Sequence, residues 1–202
     1  MSDDYGFLAP FYQPLSRLVF GKDLIAANSC FSSFAQDRHS LIIGGGDGSA
    51  YKDWDGRYTG EYWDTSAKMA ELAGRNLKKS RIRVHCGHWL GDGTFDVVFL
   101  PFVLDTLLDS EIDELVRQVH AALKPGGRVI LSDFFTPATF FQRALQRLML
   151  ISFRLFTNHR RKDLPEYANY FDSDAWEKES SKVWRKGWIR AQLYLKKQGS
   201  TG

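Results

Sequence analysis

Apolar runs recur along the chain at 39–43, 57–63, 82–86, 95–100 and 128–132, and each ends in glycine, acidic or polar residues. Short runs of this kind, bounded by turn chemistry, read as buried strands. Between the last two, Ile112, Leu115, Val116, Val119 and Leu123 recur at the spacing of one helical face. Asp109 or Ser110 is expected to cap that helix, and Glu111, Asp113 and Glu114 suit its positive N-terminal end. Lys124-Pro125-Gly126-Gly127 stops it before the next strand. Strand, helix and strand at this spacing imply a right-handed crossover and a parallel pair.

The flanking segments complete the pattern. Residues 8–34 read as helical material laid over the carboxyl edge of the sheet, a lid. Residues 139–156 read as a helix with Phe141, Ala144, Leu145, Leu148, Met149 and Ser152 on one stripe and Arg143, Arg147 and Arg154 on another. Residues 181–186 and 189–196, joined at Gly187, look like an antiparallel pair that closes the sheet. The expectation is one α/β domain over 1–198: a lid at 1–38, a core at 39–135, then a helix and closing strands at 136–198, with a disordered tail at 199–202.

Composition narrows the function. A net charge of +3 cannot supply the phosphate-neutralising surface of a dedicated nucleic-acid binder. Cys30 and Cys86 lie outside any metal or disulfide spacing, and His39, His85, His120 and His159 lack ligand spacing, so no metal is expected. The acidic start, with neither a basic flank nor an apolar run, argues against a signal peptide, and a reducing, cytoplasmic compartment is the expectation.

The chemistry concentrates after the first strand. Leu41-Ile42-Ile43 runs into Gly44-Gly45-Gly46-Asp47-Gly48, an arrangement that lets backbone N–H groups approach a ligand without Cβ atoms in the way. Asp64, at the end of the second strand, has the geometry either to accept both hydroxyl protons of a ribose or to cap the helix that follows. Ser49 stands where a dinucleotide-binding loop usually has its third small residue.

Asp64-Thr65-Ser66-Ala67-Lys68-Met69-Ala70-Glu71-Leu72-Ala73 resembles the D-x-S-x-x-M-x-x-x-A segment of class I S-adenosylmethionine-dependent methyltransferases. Phe95-Asp96-Val97-Val98-Phe99 and the later Leu123-Lys124-Pro125-Gly126-Gly127-Arg128 are similar to that family's later strand and turn, so the resemblance covers roughly 41–133. Tyr5-Gly6-Phe7-Leu8-Ala9-Pro10-Phe11-Tyr12 also resembles the quinone-biosynthesis C-methyltransferase branch. The resemblance implies a Rossmann-like, mostly parallel seven-stranded sheet with an antiparallel last strand and helices on both faces. It implies that Gly44, Gly45, Gly46 and Gly48 pass beneath the methionyl part of S-adenosylmethionine and that Asp64 holds the ribose. Thr65, Met69 and Tyr12 would lie against the cofactor, as would His88 and Trp89. His88 stands where many members carry an acid for the adenine amino group, and Ile42 where an acid commonly precedes the loop. Asp53, Asp55 and Gly56 predict a shortened first helix.

Methyl transfer needs orientation more than proton transfer, and a base helps only when the acceptor must lose a proton. Asp105, after the fourth strand, is the candidate base, with Asp133 second. Phe102, Phe134 and Phe135 are candidates to hold a small apolar or aromatic acceptor. Two other readings stand beside this one: a cofactor-binding regulatory protein without turnover, and a spermidine-synthase-like aminopropyltransferase, since GGGDG occurs there too. The latter is disfavoured because no acid precedes Asp105 after the fourth strand. The arginines of 139–156 suggest peripheral contact with an anionic membrane, and the chain is expected to be a monomer or homodimer.

Overall fold

The strands are β1 (His39–Ile43), β2 (Thr59–Asp64), β3 (Arg81–Cys86), β4 (Phe95–Pro101), β5 (Leu123–Phe134), β6 (Trp176–Trp184) and β7 (Ile189–Lys196). The computed structural model describes residue 20 and residues 22–147, 163–171 and 174–197. The strands form one sheet in the order β3-β2-β1-β4-β5-β7-β6. All pairs from β3 to β5 are parallel, and β7 runs antiparallel to both β5 and β6.

Alternation along the strands sends successive side chains to opposite faces, and each face meets its own helices. Ile42, Tyr62, Val97 and Phe99 pack with Ala27 of α1 (Asp23–Ser29) and Ala73 of α2 (Ala67–Asn76). Leu41, Ile43, Val98 and Leu100 pack with Ile112, Val116 and Val119 of α3 (Asp109–Ala122) on the other face. The predicted crossover is therefore present, with apolar strands buried on both sides.

Several boundaries differ from the expectation. β3 is an edge strand, so its side chains alternate between half-buried and exposed along most of its length, where full burial was expected. β5 starts at Leu123 because Leu123 already pairs with Phe95; a register shift then absorbs the Lys124-Pro125-Gly126-Gly127 turn before Arg128 pairs with Val97. β6 begins at Trp176 because its polar residues pair with β7. Neither Asp109 nor Ser110 is the cap of α3: Leu108 holds that position, and its N–H donates to Glu111 Oε2 at 2.8 Å. The shortened helix after the glycine loop is reduced to one 3-10 turn, Ser49–Tyr51, behind which Tyr51 and Trp54 pack on Phe99.

A helix at 140–147, α4, follows β5 and precedes the short α5 (Ala168–Phe171). Its contacts differ from the predicted stripe. Gln142 is buried and donates to the Arg185 carbonyl at 2.8 Å, and Gln146 accepts from Trp188 Nε1. Phe141 and Ala144 face outward, because those two polar anchors and Leu145 set the inward face. The predicted lid before residue 20, the rest of the 139–156 helix including Arg154, and the tail lie outside the described residues. Among the described residues, no helix is long and apolar enough to cross a membrane.

Candidate functional site

The carboxyl ends of β1, β2, β3 and β4 surround a cavity of about 730 Å³, within the range typical of small-molecule and cofactor sites. Its walls come from the glycine loop, from Asp64 to Met69, from Gly87 to Trp89, from the turn after β4, and from the near face of α3.

The loop is held by backbone and by β2. Gly44 N–H donates to the Trp63 carbonyl at 2.8 Å, continuing the β1–β2 ladder into the turn. Gly44, Gly46 and Gly48 have φ of 72°, 65° and 70°, the left-handed region that favours glycine. Their surroundings divide them. A Cβ on Gly48 would meet Ala73 Cα of α2 at 3.1 Å, so this glycine admits the helix. A Cβ on Gly44 would strike Val103, whereas one on Gly46 would meet nothing within 4 Å. The open side of Gly46 lines the cavity, which leaves room for a ligand to lie on its backbone.

Asp64 sits between loop and helix. Its Oδ2 accepts from Gly46 N–H and its Oδ1 from Ser66 N–H, both at 2.9 Å. The helix cap is Ser66, whose Oγ accepts from Met69 N–H. The two readings of Asp64 therefore meet in one geometry: it supports the cap and holds the loop. The carboxylate so held also borders the cavity. An open glycine surface and a fixed carboxylate thus border one mainly apolar cavity.

The remaining expected residues fall into three groups. Thr65, Met69, His88, Trp89 and Phe102 line the cavity together with Gly44, Gly46 and Asp64. Trp89 is buried, and its Nε1 is committed to the Asp92 carbonyl at 2.9 Å, so it offers a ring surface; His88 is exposed at the rim. Gly45, Gly48, Asp105, Phe134 and Phe135 do not line it. Gly45 packs on Tyr62, while Phe134 is buried between Phe20, Phe102 and Trp188. Phe135 packs on Tyr167, with the Arg190 guanidinium 4.7 Å from its ring centre. Tyr12 lies outside the described residues.

Asp105 stands in the turn Leu104–Thr106 and lies against Asp133, behind the cavity wall formed by Phe102, Val103, Thr106 and Leu107. Burial, reinforced by the Asp105 charge, pushes the Asp133 carboxyl well above the usual range, against hydrogen bonds from Phe134 N–H and the Tyr167 hydroxyl.

Sequence reasoning missed the face of α3. Ser110, Glu111, Glu114 and Gln118 line the cavity at positions whose spacing marks an ordinary solvated helix face, and Leu115 lines it from the edge of the apolar stripe. It also missed Tyr62, which alternation places on the same side of β2 as Asp64. Among the described residues, no group of three or more His, Cys, Asp or Glu is placed to hold a metal.

Residues 41–131 match the family described as "Methyltransferase domain". No curated protein matches the chain. The fold is similar to an O-methyltransferase family protein from Burkholderia thailandensis (17% identity, TM-score 0.68, 92% of this chain and 58% of that one). It is also similar to an O-methyltransferase family 2 protein from Planctomyces limnophilus in complex with apigenin (18%, 0.68, 93% and 62%). A S-adenosylmethionine-dependent methyltransferase from Methanosarcina mazei matches over nearly its whole length (17%, 0.58, 83% and 97%). The chain thus spans about three fifths of the two O-methyltransferases, and at these identities the likeness is one of fold. Residues 41–131 thus resemble a methyltransferase domain, in a chain that has the fold of methyltransferases of solved structure.

Proposed function

We propose that the protein transfers a methyl group from S-adenosylmethionine to a small, flat, apolar or aromatic acceptor. The observation that carries this reading is the Asp64 carboxylate, fixed by two backbone N–H groups beside the open face of Gly46. Bound S-adenosylmethionine supplies an electrophilic methyl group on a sulfonium whose leaving group departs as a neutral thioether. The chain supplies orientation, which in favourable cases lowers a barrier by ~7–11 kcal/mol. The glycine loop and Asp64 set the position of the cofactor, Thr65, Met69 and the Trp89 ring border its nucleoside, and Phe102 borders the acceptor side.

Asp105 can serve as a base only by turning from Asp133 into the cavity, so this reading assigns the transfer no obligatory base. Its role is to position the wall after β4. The quinone C-methyltransferase likeness rests on 5–12, outside the described residues; an O-methyltransferase of similar fold is known in complex with apigenin, which is also a flat ring compound. An aminopropyl transfer to a polyamine would need free acids in the cavity. Glu111 is committed to Leu108 N–H and Glu114 to Arg117 and Gln118.

Native mass spectrometry of freshly purified protein, followed by incubation with S-adenosylmethionine and a panel of phenols, quinols and aromatic amines, tests the proposal. Retained cofactor and acceptor-dependent S-adenosylhomocysteine are expected. Retained cofactor without turnover on any acceptor would favour the regulatory reading, to which His88 and Ile42 lend support.

A further inference from the structure

Tyr62 is fully buried beneath the glycine loop, and nothing in the chemistry of methyl transfer calls for it. Its hydroxyl donates to the Gly46 carbonyl at 2.8 Å, and the backbone of Gly48 bonds the same hydroxyl. Two residues on, along the same face of β2, Asp64 accepts the Gly46 N–H. The peptide groups flanking Gly46 are thus gripped from one strand face, one by its N–H and the other by its carbonyl. Ile42, in the strand that enters the loop, is buried and apolar and contributes no polar group to this hold.

The same ring explains Gly45. Unlike Gly44, Gly46 and Gly48, it has no positive φ, so its backbone places no demand for glycine. A Cβ there would run into the Tyr62 hydroxyl and ring carbons. Position 45 is glycine because Tyr62 occupies the space a side chain would fill.

We infer that Tyr62 is a positioning residue for cofactor binding. Its hydroxyl and ring set where the Gly46 backbone lies relative to the Asp64 carboxylate, and so fix the spacing at which an amino-acid chain and a ribose are held together. The inference rests on the reading of this cavity as the S-adenosylmethionine site. A buried phenol whose hydroxyl bonds the loop at both Gly46 and Gly48 is rigid, so the loop is arranged before ligand arrives.

Calorimetric titration of the full chain with S-adenosylhomocysteine tests this, with thermal melting measured on the same samples. Tyr62→Phe keeps the ring and leaves the Gly46 carbonyl without its donor; affinity should fall on the order of tenfold. Gly45→Ala should weaken binding by at least as much in the wild-type background. In a Tyr62→Val background, where the ring is gone, adding Gly45→Ala should cost less than about threefold, the coupling expected of residues that compete for one space. Unchanged affinity in Tyr62→Phe, whatever its melting temperature, would overturn the inference. So would a Gly45→Ala loss of equal size in both backgrounds. If Tyr62→Val does not fold, Tyr62→Phe against wild type decides alone. A wild-type chain that binds no S-adenosylhomocysteine would sink the cofactor reading and this inference together, whereas normal wild-type binding with an indifferent Tyr62→Phe sinks only the latter.

Discussion

The two corners of the cavity-bearing edge are built from different materials. At the ends of β1 and β2 the surface is backbone: three glycines at positive φ, a carboxylate locked by two N–H groups, and a phenol on the Gly46 carbonyl. At the ends of β4 and β5 it is side chain. Phe102 adopts φ 52° and packs 5.1 Å from the Phe134 ring, which leans on Trp188, and Asp133 is hidden against Asp105. The first corner suits a ligand of fixed shape. The second is a packed apolar wall that meets the loop at Val103, beside Gly44. Under the proposed function, the first corner is the one suited to a methyl donor of fixed shape and the second the one left for the acceptor.

The largest effect that would break this contrast is at Asp64. Asp64→Ala removes the fixed acceptor for a diol and also frees the Gly46 and Ser66 N–H groups. Charge-assisted hydrogen bonds contribute about 1.5–3 kcal/mol each, so S-adenosylhomocysteine affinity should drop on the order of 100-fold or more. Phe102→Ala, on the other corner, should leave that affinity within about threefold while altering acceptor preference, as expected for a contact outside the cofactor's polar anchors. Calorimetry on both variants checks the pair. Comparable losses in the two would erase the division of labour.

The difference in material also decides what was legible in the sequence. The glycine loop, the Asp64 position and the Ser66-to-Ala73 segment are local: a strand, its turn and the next strand-helix junction carry the whole arrangement in a few residues. Local geometry leaves local signals. Gly45 was legible as part of the loop and not as the partner of Tyr62, because that contact joins the loop to the neighbouring strand seventeen positions on. Asp105 read as a candidate base because it continues directly from the fourth strand, whose end borders the cavity. Its proximity to Asp133 depends on how β4 pairs with β5, where Pro101 stands beside Ser132. The outward turn of Phe141 was hidden for the same reason: Gln142 and Gln146 are anchored by Arg185 and Trp188, some forty residues on.

That outward turn gives the second corner a flank of its own. Phe140 and Phe141 are 79% and 71% exposed, and Arg143 and Arg147 are exposed beside them on α4. We propose that this surface rests on anionic membrane and gives the acceptor corner access to a lipophilic substrate. Each basic residue near such a surface contributes about 1 kcal/mol. The full chain should sediment with anionic vesicles at low salt, and the Arg143→Ala/Arg147→Ala double variant should bind roughly thirtyfold more weakly. Added salt should abolish the difference. Absence of sedimentation at low salt would leave α4 an ordinary surface helix.

The smallest expected effect concerns Asp133, and it separates the corners by pH. Its carboxyl is raised above the ordinary value by burial and by the charge of Asp105, and the one cation opposite it in register, Arg190, is directed to Phe135 and the Gly187 carbonyl. The folded chain therefore holds a proton that the unfolded chain releases near pH 3.8, the ordinary value. Stability from this group is complete below that pH and declines as pH rises through the folded value, the reverse of a salt-bridged carboxylate. Asp133→Asn keeps an acceptor for the Phe134 N–H and a neutral group in the same space, and it removes the titration. The two proteins should melt alike in acid, and the variant should melt higher as pH rises, at a scale of about 2–4 °C per kcal/mol for a chain of this size. Affinity for S-adenosylhomocysteine at the opposite corner should not move. Parallel melting curves across pH would mean that Asp133 is ionised in the folded protein.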